Sequence, residues 1–306
     1  MKKAYIVLAH KNPKQLHRLI QVLDDGQSVF FVHIDKRKDI NDFSKVWNYG
    51  PQVMMIEREN TSWGGFGLVE ATLNALRAVV ESGINFGMVS LLSGEDYPIK
   101  SNVDIDRYFE SSPYSLFIDY AQLPDFGKWT KGGGLYRINK FFFGLSIPER
   151  LASRTINLIG LFIPPLKRQY TIGLKPYWGS QWWSIDMYSV KFILEYVQIN
   201  PAYSMFHRFT FAPDEVFFQT ILLNAEDEHI KGKLKNDAKR FMVWEQDGHA
   251  HPKVFRTDDL HNIIESDALF ARKFDTEIDE EILDLIDREC LKTYINNNSS
   301  NNAARA

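Results

Sequence analysis

The chain has 306 residues, of which 44% are hydrophobic, enough to bury a sizeable core as one large domain or two coupled ones. Its 36 Lys and Arg against 39 Asp and Glu give a net charge of -3, so there is no global positive field of the kind that gathers nucleic acid. The lone cysteine, Cys290, excludes an intramolecular disulfide framework and a cysteine-rich zinc site, and it fits a reducing cytosol.

Met1-Lys2-Lys3 runs straight into a short strand-like stretch, Ala4 to Ala9, too brief for a signal peptide, and no segment approaches the roughly 20 apolar residues of a membrane span. A first strand is expected over Tyr5 to Ala9. A helix follows from near Pro13, with Leu16, Leu19, Ile20 and Leu23 on one stripe. Val29 to Ile34 reads as a strand covered on both faces, and Val53 to Ile56 as a third. After a turn at Trp63-Gly64-Gly65, Val69, Leu73, Leu76 and Val80 mark a second amphipathic helix, and Phe86 to Leu92 a fourth strand. This alternation is the pattern of a mainly parallel sheet with helices on its faces. Ligands of such sheets lie beyond the carboxyl ends of the strands, so His10, Asp35 and the loop Ser93 to Pro98 should meet in one crevice.

From about Tyr120 the pattern turns aromatic and irregular, with Lys131-Gly132-Gly133-Gly134 and Phe141-Phe142-Phe143, as expected of a substrate-facing region. Ile156 to Leu166 reads as a buried helix ending at Pro164-Pro165. Its flanks Arg150, Arg154, Lys167 and Arg168 offer a second reading, docking on an anionic membrane surface. Regular structure is expected again over Trp178 to Ile185, in a helix with Val190 to Val197, in a helix opening at Pro213-Asp214-Glu215, and in a last helix around Glu280 to Leu291. The Asn/Ser/Ala tail 296–306 is too polar to order itself. The chain thus divides into 1–119, a Rossmann-like nucleotide half, 120–295, an acceptor and catalytic half, and the tail.

Four constellations carry chemistry. In Pro213-Asp214-Glu215, proline and acids suit a helix N-terminus, which favours ionised carboxylates; simple capping is the alternative role. In His33-Ile34-Asp35-Lys36, an Asp leaving a strand suits a ribose or uracil, or one side of a metal site completed by Glu95 and Asp96. The turn Ser93-Gly94-Glu95-Asp96-Tyr97-Pro98 offers acids to sugar hydroxyls, or is an ordinary loop with solvated acids. The set His249, His251, Lys253, Arg256, Arg272 and Lys273 offers cations to a departing diphosphate, or forms an ordinary solvated face. No glycine loop has the spacing of an ATPase or dehydrogenase phosphate cradle.

In order and spacing these pieces resemble the core-2/I-branching β-1,6-N-acetylglucosaminyltransferase and peptide O-xylosyltransferase family. The resemblance rests on Ala4 to His10, His33 to Lys36, the Trp63-Gly64 turn, Leu91 to Lys100, Gly179-Ser180-Gln181-Trp182-Trp183, Pro213 to Glu215, His251-Pro252-Lys253 and Phe270 to Asp275. It implies an α/β fold of GT-A type, with a Rossmann-like half joined to an acceptor half, working without a metal or other cofactor. It also implies transfer with inversion of N-acetylglucosamine, xylose or glucose from a UDP-sugar to a glycan or lipid-linked glycan. Carried over position by position, Glu215 matches the catalytic base, Asp35 a residue lining the uridine pocket, and Lys273 a cation on the diphosphate. Lys253 falls where an animal relative has arginine, a point charge in place of a bidentate fork, with Arg256 or Arg272 as other candidates for that contact. His10 is grouped with the donor residues. Glu95, Asp96, Ser180, Gln181, Trp182 and Asp214 match parts of the donor and acceptor cleft. Trp129, Tyr136, Trp178 and Trp182 offer faces to sugars, with core packing as the other role, expected for at least half of them.

Animal relatives carry a Golgi anchor and disulfides that this sequence lacks, which points to a bacterial-type member acting in the cytoplasm, at or near the inner face of the membrane, on a surface glycan. Two alternatives stand beside this reading: a metal-dependent sugar or phosphate transferase built on Asp35 and Asp96, and a carbohydrate-binding protein that has lost catalysis.

Overall fold

A computed structural model describes residues 1–170, 172–244 and 252–291. Its strands are β1 (Lys3–Ala9), β2 (Ser28–Ile34), β3 (Val53–Met55), β4 (Met88–Ser93), β5 (Asp96–Pro98), β6 (Leu116–Phe117), β7 (Ala121–Gln122), β8 (Tyr177–Trp178), β9 (Ser184–Ile185), β10 (Leu234–Lys235), β11 (Arg240–Met242) and β12 (Phe270–Arg272). Seven of them form one sheet in the order β10-β6-β9-β4-β1-β2-β3. β1 pairs in parallel with β2 and β4, β3 continues in parallel beside β2, and β9 runs antiparallel between β4 and β6. The sheet is therefore mostly parallel, as the GT-A expectation required. Because β9 comes from beyond residue 120 and sits between two strands from before it, the two halves of the chain share this sheet.

Side-chain alternation explains the layers. Tyr5 and Val7 of β1 face one side and Ala4, Ile6 and Leu8 the other, and all are buried because both faces are covered. The first face packs on the helices Pro13–Leu23 and Glu281–Glu289, the second on Gly67–Glu81, Met187–Ile199 and Phe217–Leu223. Helix Pro13–Leu23 starts where expected: Asn12 accepts from the Gln15 N–H, Pro13 occupies the first turn, and the stripe of four leucines and isoleucines is buried.

Four expectations need correction. Ser93 to Pro98 is not a solvated loop, since after a tight turn Asp96–Pro98 forms β5, which gains its hydrogen-bonding partner from β12. Trp178 to Ile185 is two short strands around an irregular Gly179 to Trp183. Pro213–Glu215 is a single 3-10 turn after Ala212, which holds φ at 47°, and the α-helix begins only at Phe217. The segment read as a buried helix belongs to a helix Ile147–Phe162 that opens earlier, at a Ser146/Glu149 capping box, and buries only Gly160. Its body-facing side carries Ser153 and Asn157, which bind the backbone of Phe143 and Phe141, so its apolar residues face outward. The tail 296–306 lies outside the described residues.

Two buried histidines couple the fold to pH. His33 accepts the Glu59 N–H at Nε2, and burial pushes it down to about 4. His207 is pushed down to about 3 by burial and then by Arg168. Both stay neutral in the folded chain while the unfolded chain takes up protons near pH 6.5, so their stabilisation is complete above that pH and is lost as pH falls through it. Urea unfolding should lose roughly 1–3 kcal/mol per pH unit between about pH 6 and 4 from these two groups. His33→Asn, whose amide oxygen can take the same N–H, should reduce that slope. An unchanged slope would exclude His33 as a source.

Candidate active site

A cleft of about 1030 Å³ opens beyond the carboxyl ends of β1 and β4 and is lined by His10, Lys11, Glu95, Trp182, Glu215, Arg272 and Lys273 among others. The register of β1 on β2 sets Ala9 opposite Ile34, so His10 and Asp35 leave the sheet side by side. The register of β12 on β5 sets Arg272 opposite Asp96, and so carries the C-terminal cations to the turn after β4.

At this first end of the cleft, Lys11 Nζ lies 2.9 Å from Glu95 Oε1 and 2.6 Å from Asp275 Oδ2. Lys273 Nζ stands 3.7 Å from the same Glu95 oxygen. Burial alone would raise Glu95, but Lys11, Arg272 and Lys273 hold its carboxyl below the usual range. Arg272 Nη1 donates to Asp96 Oδ1 at 2.6 Å, and its guanidinium lies 4.4 Å from the centre of the Trp182 ring. Burial of Asp96 outweighs this partner and pushes its carboxyl up.

At the other end, Glu215 Oε2 accepts from Arg137 Nη1 at 2.6 Å. Its Oε1 has no protein hydrogen bond among the described residues. Arg137 comes from the short helix Tyr136–Asn139, after three glycines that all hold positive φ, and it packs against the rings of Trp129 and Phe211. Burial would lower Arg137, yet the charge and hydrogen bond of Glu215 keep it above its ordinary value. The backbone around Glu215 is fixed on two sides: Gly179 N–H donates to the Glu215 carbonyl at 2.8 Å, and Ala212 N–H to the Gly64 carbonyl at 2.9 Å. Any side chain at Gly179 would put its Cβ 1.7 Å from the Asp119 carbonyl oxygen. Ser180, Gln181, Trp129, Tyr136 and Trp178 also line the cleft. Among the described residues the buried Gln181 Nε2 has no hydrogen-bond partner.

Several residues named from sequence stand elsewhere. Asp35 is buried behind Arg37 and Thr61, which take both its oxygens and themselves line the cleft; Arg37 and Thr61 hold its carboxyl far below the usual range. Asp214 is 5% exposed, and burial, then the neighbouring charge of Glu215, raises its carboxyl well above the usual range. It does not line the cleft, and neither does Asp96. Lys253 is turned to Asp259 at 2.7 Å and does not line the cleft, whereas its neighbour Pro252 does. Arg256 is exposed outside it. His249 and His251 lie outside the described residues. For the metal alternative, Asp35 and Asp96 are each occupied by an arginine. Among the described residues no group of three or more His, Cys, Asp or Glu is arranged to hold an ion.

Lys11, Arg37 and Arg137 were missed. The first two follow strand ends that the sheet topology already singles out, so they were within reach. Arg137 carries no local signal, because it meets Glu215 only through a contact 78 residues away.

The family model described as Core-2/I-Branching enzyme matches residues 3–267. Beta-glucuronosyltransferase GlcAT14B of Arabidopsis thaliana is 26% identical over 94% of this chain and 66% of its own length. Xylosyltransferase 2 of Homo sapiens is 25% identical over 95% of this chain and 34% of its own. A human protein named probable beta-1,3-galactosyl-O-glycosyl-glycoprotein beta-1,6-N-acetylglucosaminyltransferase 7 is 21% identical over 93% and 67%. The chain thus spans just under two thirds of the plant relative and about one third of the xylosyltransferase. No helix among the described residues is long and apolar enough to cross a membrane.

The buried pair Arg272–Asp96 makes a separable prediction. Arg272→Met strands a buried carboxyl and should cost about 3–5 kcal/mol in urea unfolding, while Arg272→Met with Asp96→Leu should recover much of that. Additive losses in the double variant would show that the two side chains act independently.

Proposed function

Since the chain belongs to the Core-2/I-branching enzyme family, we propose that it is a glycosyltransferase acting by one in-line displacement with inversion. The donor is a UDP-sugar and the acceptor a hydroxyl of a glycan, free or lipid-linked. Glu215 Oε1 takes the proton of that hydroxyl as its oxygen bonds to the anomeric carbon. The bond from that carbon to the diphosphate oxygen breaks, and UDP leaves with the electron pair. Lys11, Arg272 and Lys273 receive the growing negative charge, and Arg137 fixes the base through its other oxygen.

One observation carries this reading: a carboxylate with one oxygen held and one without a hydrogen-bond partner among the described residues shares a cleft with Lys11, Arg272 and Lys273. Asp214 is buried beside it and outside the cleft, and Asp119, which also lines the cleft, has its Oδ1 held by the Ala238 N–H; a single displacement requires one base, and we assign it to Glu215. The cations at the diphosphate end supply the positive charge that a divalent ion would otherwise bring, so no metal is assigned to the reaction. The relatives' names cover glucuronosyl, xylosyl and N-acetylglucosaminyl transfer, which adds a uronic acid to the candidate donor sugars.

Glu215→Gln should lower turnover by roughly 10²–10⁴-fold, with UDP affinity by calorimetry unchanged. Transfer at the parental rate would remove Glu215 from the role of base. Activity on the preferred nucleotide sugar should persist in EDTA, and loss of activity restored by Mn²⁺ would instead favour a metal-dependent transferase.

A further inference from the structure

The helix Ile147–Phe162 is amphipathic in the opposite sense from a core helix. Ser153, Asn157 and Gly160 face the body. Ile147, Leu151, Leu158 and Phe162, spaced by four, seven and four residues, form one outward stripe. They are 79, 64, 58 and 78% exposed, and Leu161, Ile163 and Leu166 extend the patch past the helix end. At about 1.5 Å per residue the helix alone presents an apolar edge about 24 Å long. Water is a poor neighbour for such a surface.

Charge says what covers it. Residues 126–185 hold nine Lys and Arg (Lys128, Lys131, Arg137, Lys140, Arg150, Arg154, Lys167, Arg168, Lys175) and a single acid, Glu149, in a chain whose net charge is negative. Arg150 and Arg154 project beside the stripe. Lys131, Lys140 and Lys167 ring a cavity of about 300 Å³ floored by Leu161, Leu166 and Gly160. Among the described residues none of these five cations has an ion-pair partner, unlike Lys11, Arg137 or Arg272 in the cleft. A second copy placed on this patch would bring like charges together.

We propose that this face docks on an anionic lipid bilayer, with the stripe lying at the acyl boundary, Arg150 and Arg154 reaching headgroup phosphates, and the three-lysine cavity seating one of them. The docked face adjoins the cleft, because Tyr136 lines both cavities and is followed by Arg137, the partner of Glu215. A lipid-linked acceptor would then enter from the membrane side. That consequence rests on the function proposed above, while the docking itself does not.

The test is sedimentation of the full chain with vesicles of phosphatidylcholine alone and of phosphatidylcholine mixed with phosphatidylglycerol. The chain should pellet with the anionic vesicles, weaken as salt rises, and stay in solution with the neutral ones. Exposed changes leave the fold intact, so Leu158→Glu with Phe162→Glu should abolish pelleting with unchanged circular dichroism. Lys131→Gln, Lys140→Gln and Lys167→Gln together should weaken it roughly a hundredfold. No pelleting with either vesicle, or equal pelleting with both, overturns the proposal. So does a dimer in sedimentation equilibrium that Leu158→Glu dissociates, since the occupant is then a second copy. Vesicle binding involves no turnover, so its failure and a failure of the Glu215 assignment are distinct results.

Discussion

The cleft depends first on the pairing of β12 with β5. Three residues near the C-terminus hydrogen-bond to three residues just past β4, and the register sets Arg272 against Asp96. A slip by one residue would send Arg272 to the opposite face and leave a fully buried carboxylate unpaired. Lys273 follows directly, and Phe274 N–H donates to the Glu95 carbonyl, so the whole cationic end is positioned by one short ladder. Lys11, arriving from the end of β1, closes the group through Glu95 and Asp275. Residues from positions 11, 95 and 272–275 become neighbours because the sheet and this ladder leave them no other arrangement.

The other end is held by backbone more than by charge. Glu215 sits in a turn whose carbonyl is bound by Gly179 and whose preceding residue is bound to Gly64. Gly179 is a glycine because its Cα presses on the Asp119 carbonyl, and Gly64 because φ is +72° beside the Phe211 ring. Arg137 then adds the side-chain restraint, braced by Trp129 and Phe211. Trp129 and Phe211 therefore serve as a frame for the arginine.

These constraints explain what could be seen in the sequence. The parallel strands, the stripe Leu16, Leu19, Ile20 and Leu23, and the crevice at His10 follow from periodicity and strand-end rules, because the local pattern and the tertiary packing agree. Of the residues named through the resemblance, Glu215, Arg272 and Lys273 line one cleft and Lys253 does not. The covering of Asp35 was not legible, because its partner Arg37, two residues on, turns back onto it, a rotamer choice that no spacing encodes. Arg137 was invisible because it acts across 78 residues from a segment without periodicity. Ile156 to Leu166 reads as buried because apolar content normally means core; only the positions of Ser153 and Asn157 reveal that the polar side of the helix Ile147–Phe162 faces in.

The charge balance at the cationic end bears on how a diphosphate is received in the proposed reaction. Lys11, Arg272 and Lys273 face Glu95, Asp96 and Asp275, so the site is near neutrality before any ligand arrives. That balance keeps three cations together without mutual repulsion, but a cation already gripped by carboxylates has less to give. Arg272 is the most constrained, with Asp96 at 2.6 Å and Trp182 beneath it, and serves better as a fixed wall of positive potential than as a mobile ligand. Lys11 is shared between two carboxylates. Lys273 has only a 3.7 Å approach to Glu95 among the described residues, well beyond hydrogen-bond length. Of the three it loses least by turning to a phosphate, and its departure would leave Glu95 held by Lys11 alone at close range, near enough to the cleft to meet a sugar hydroxyl.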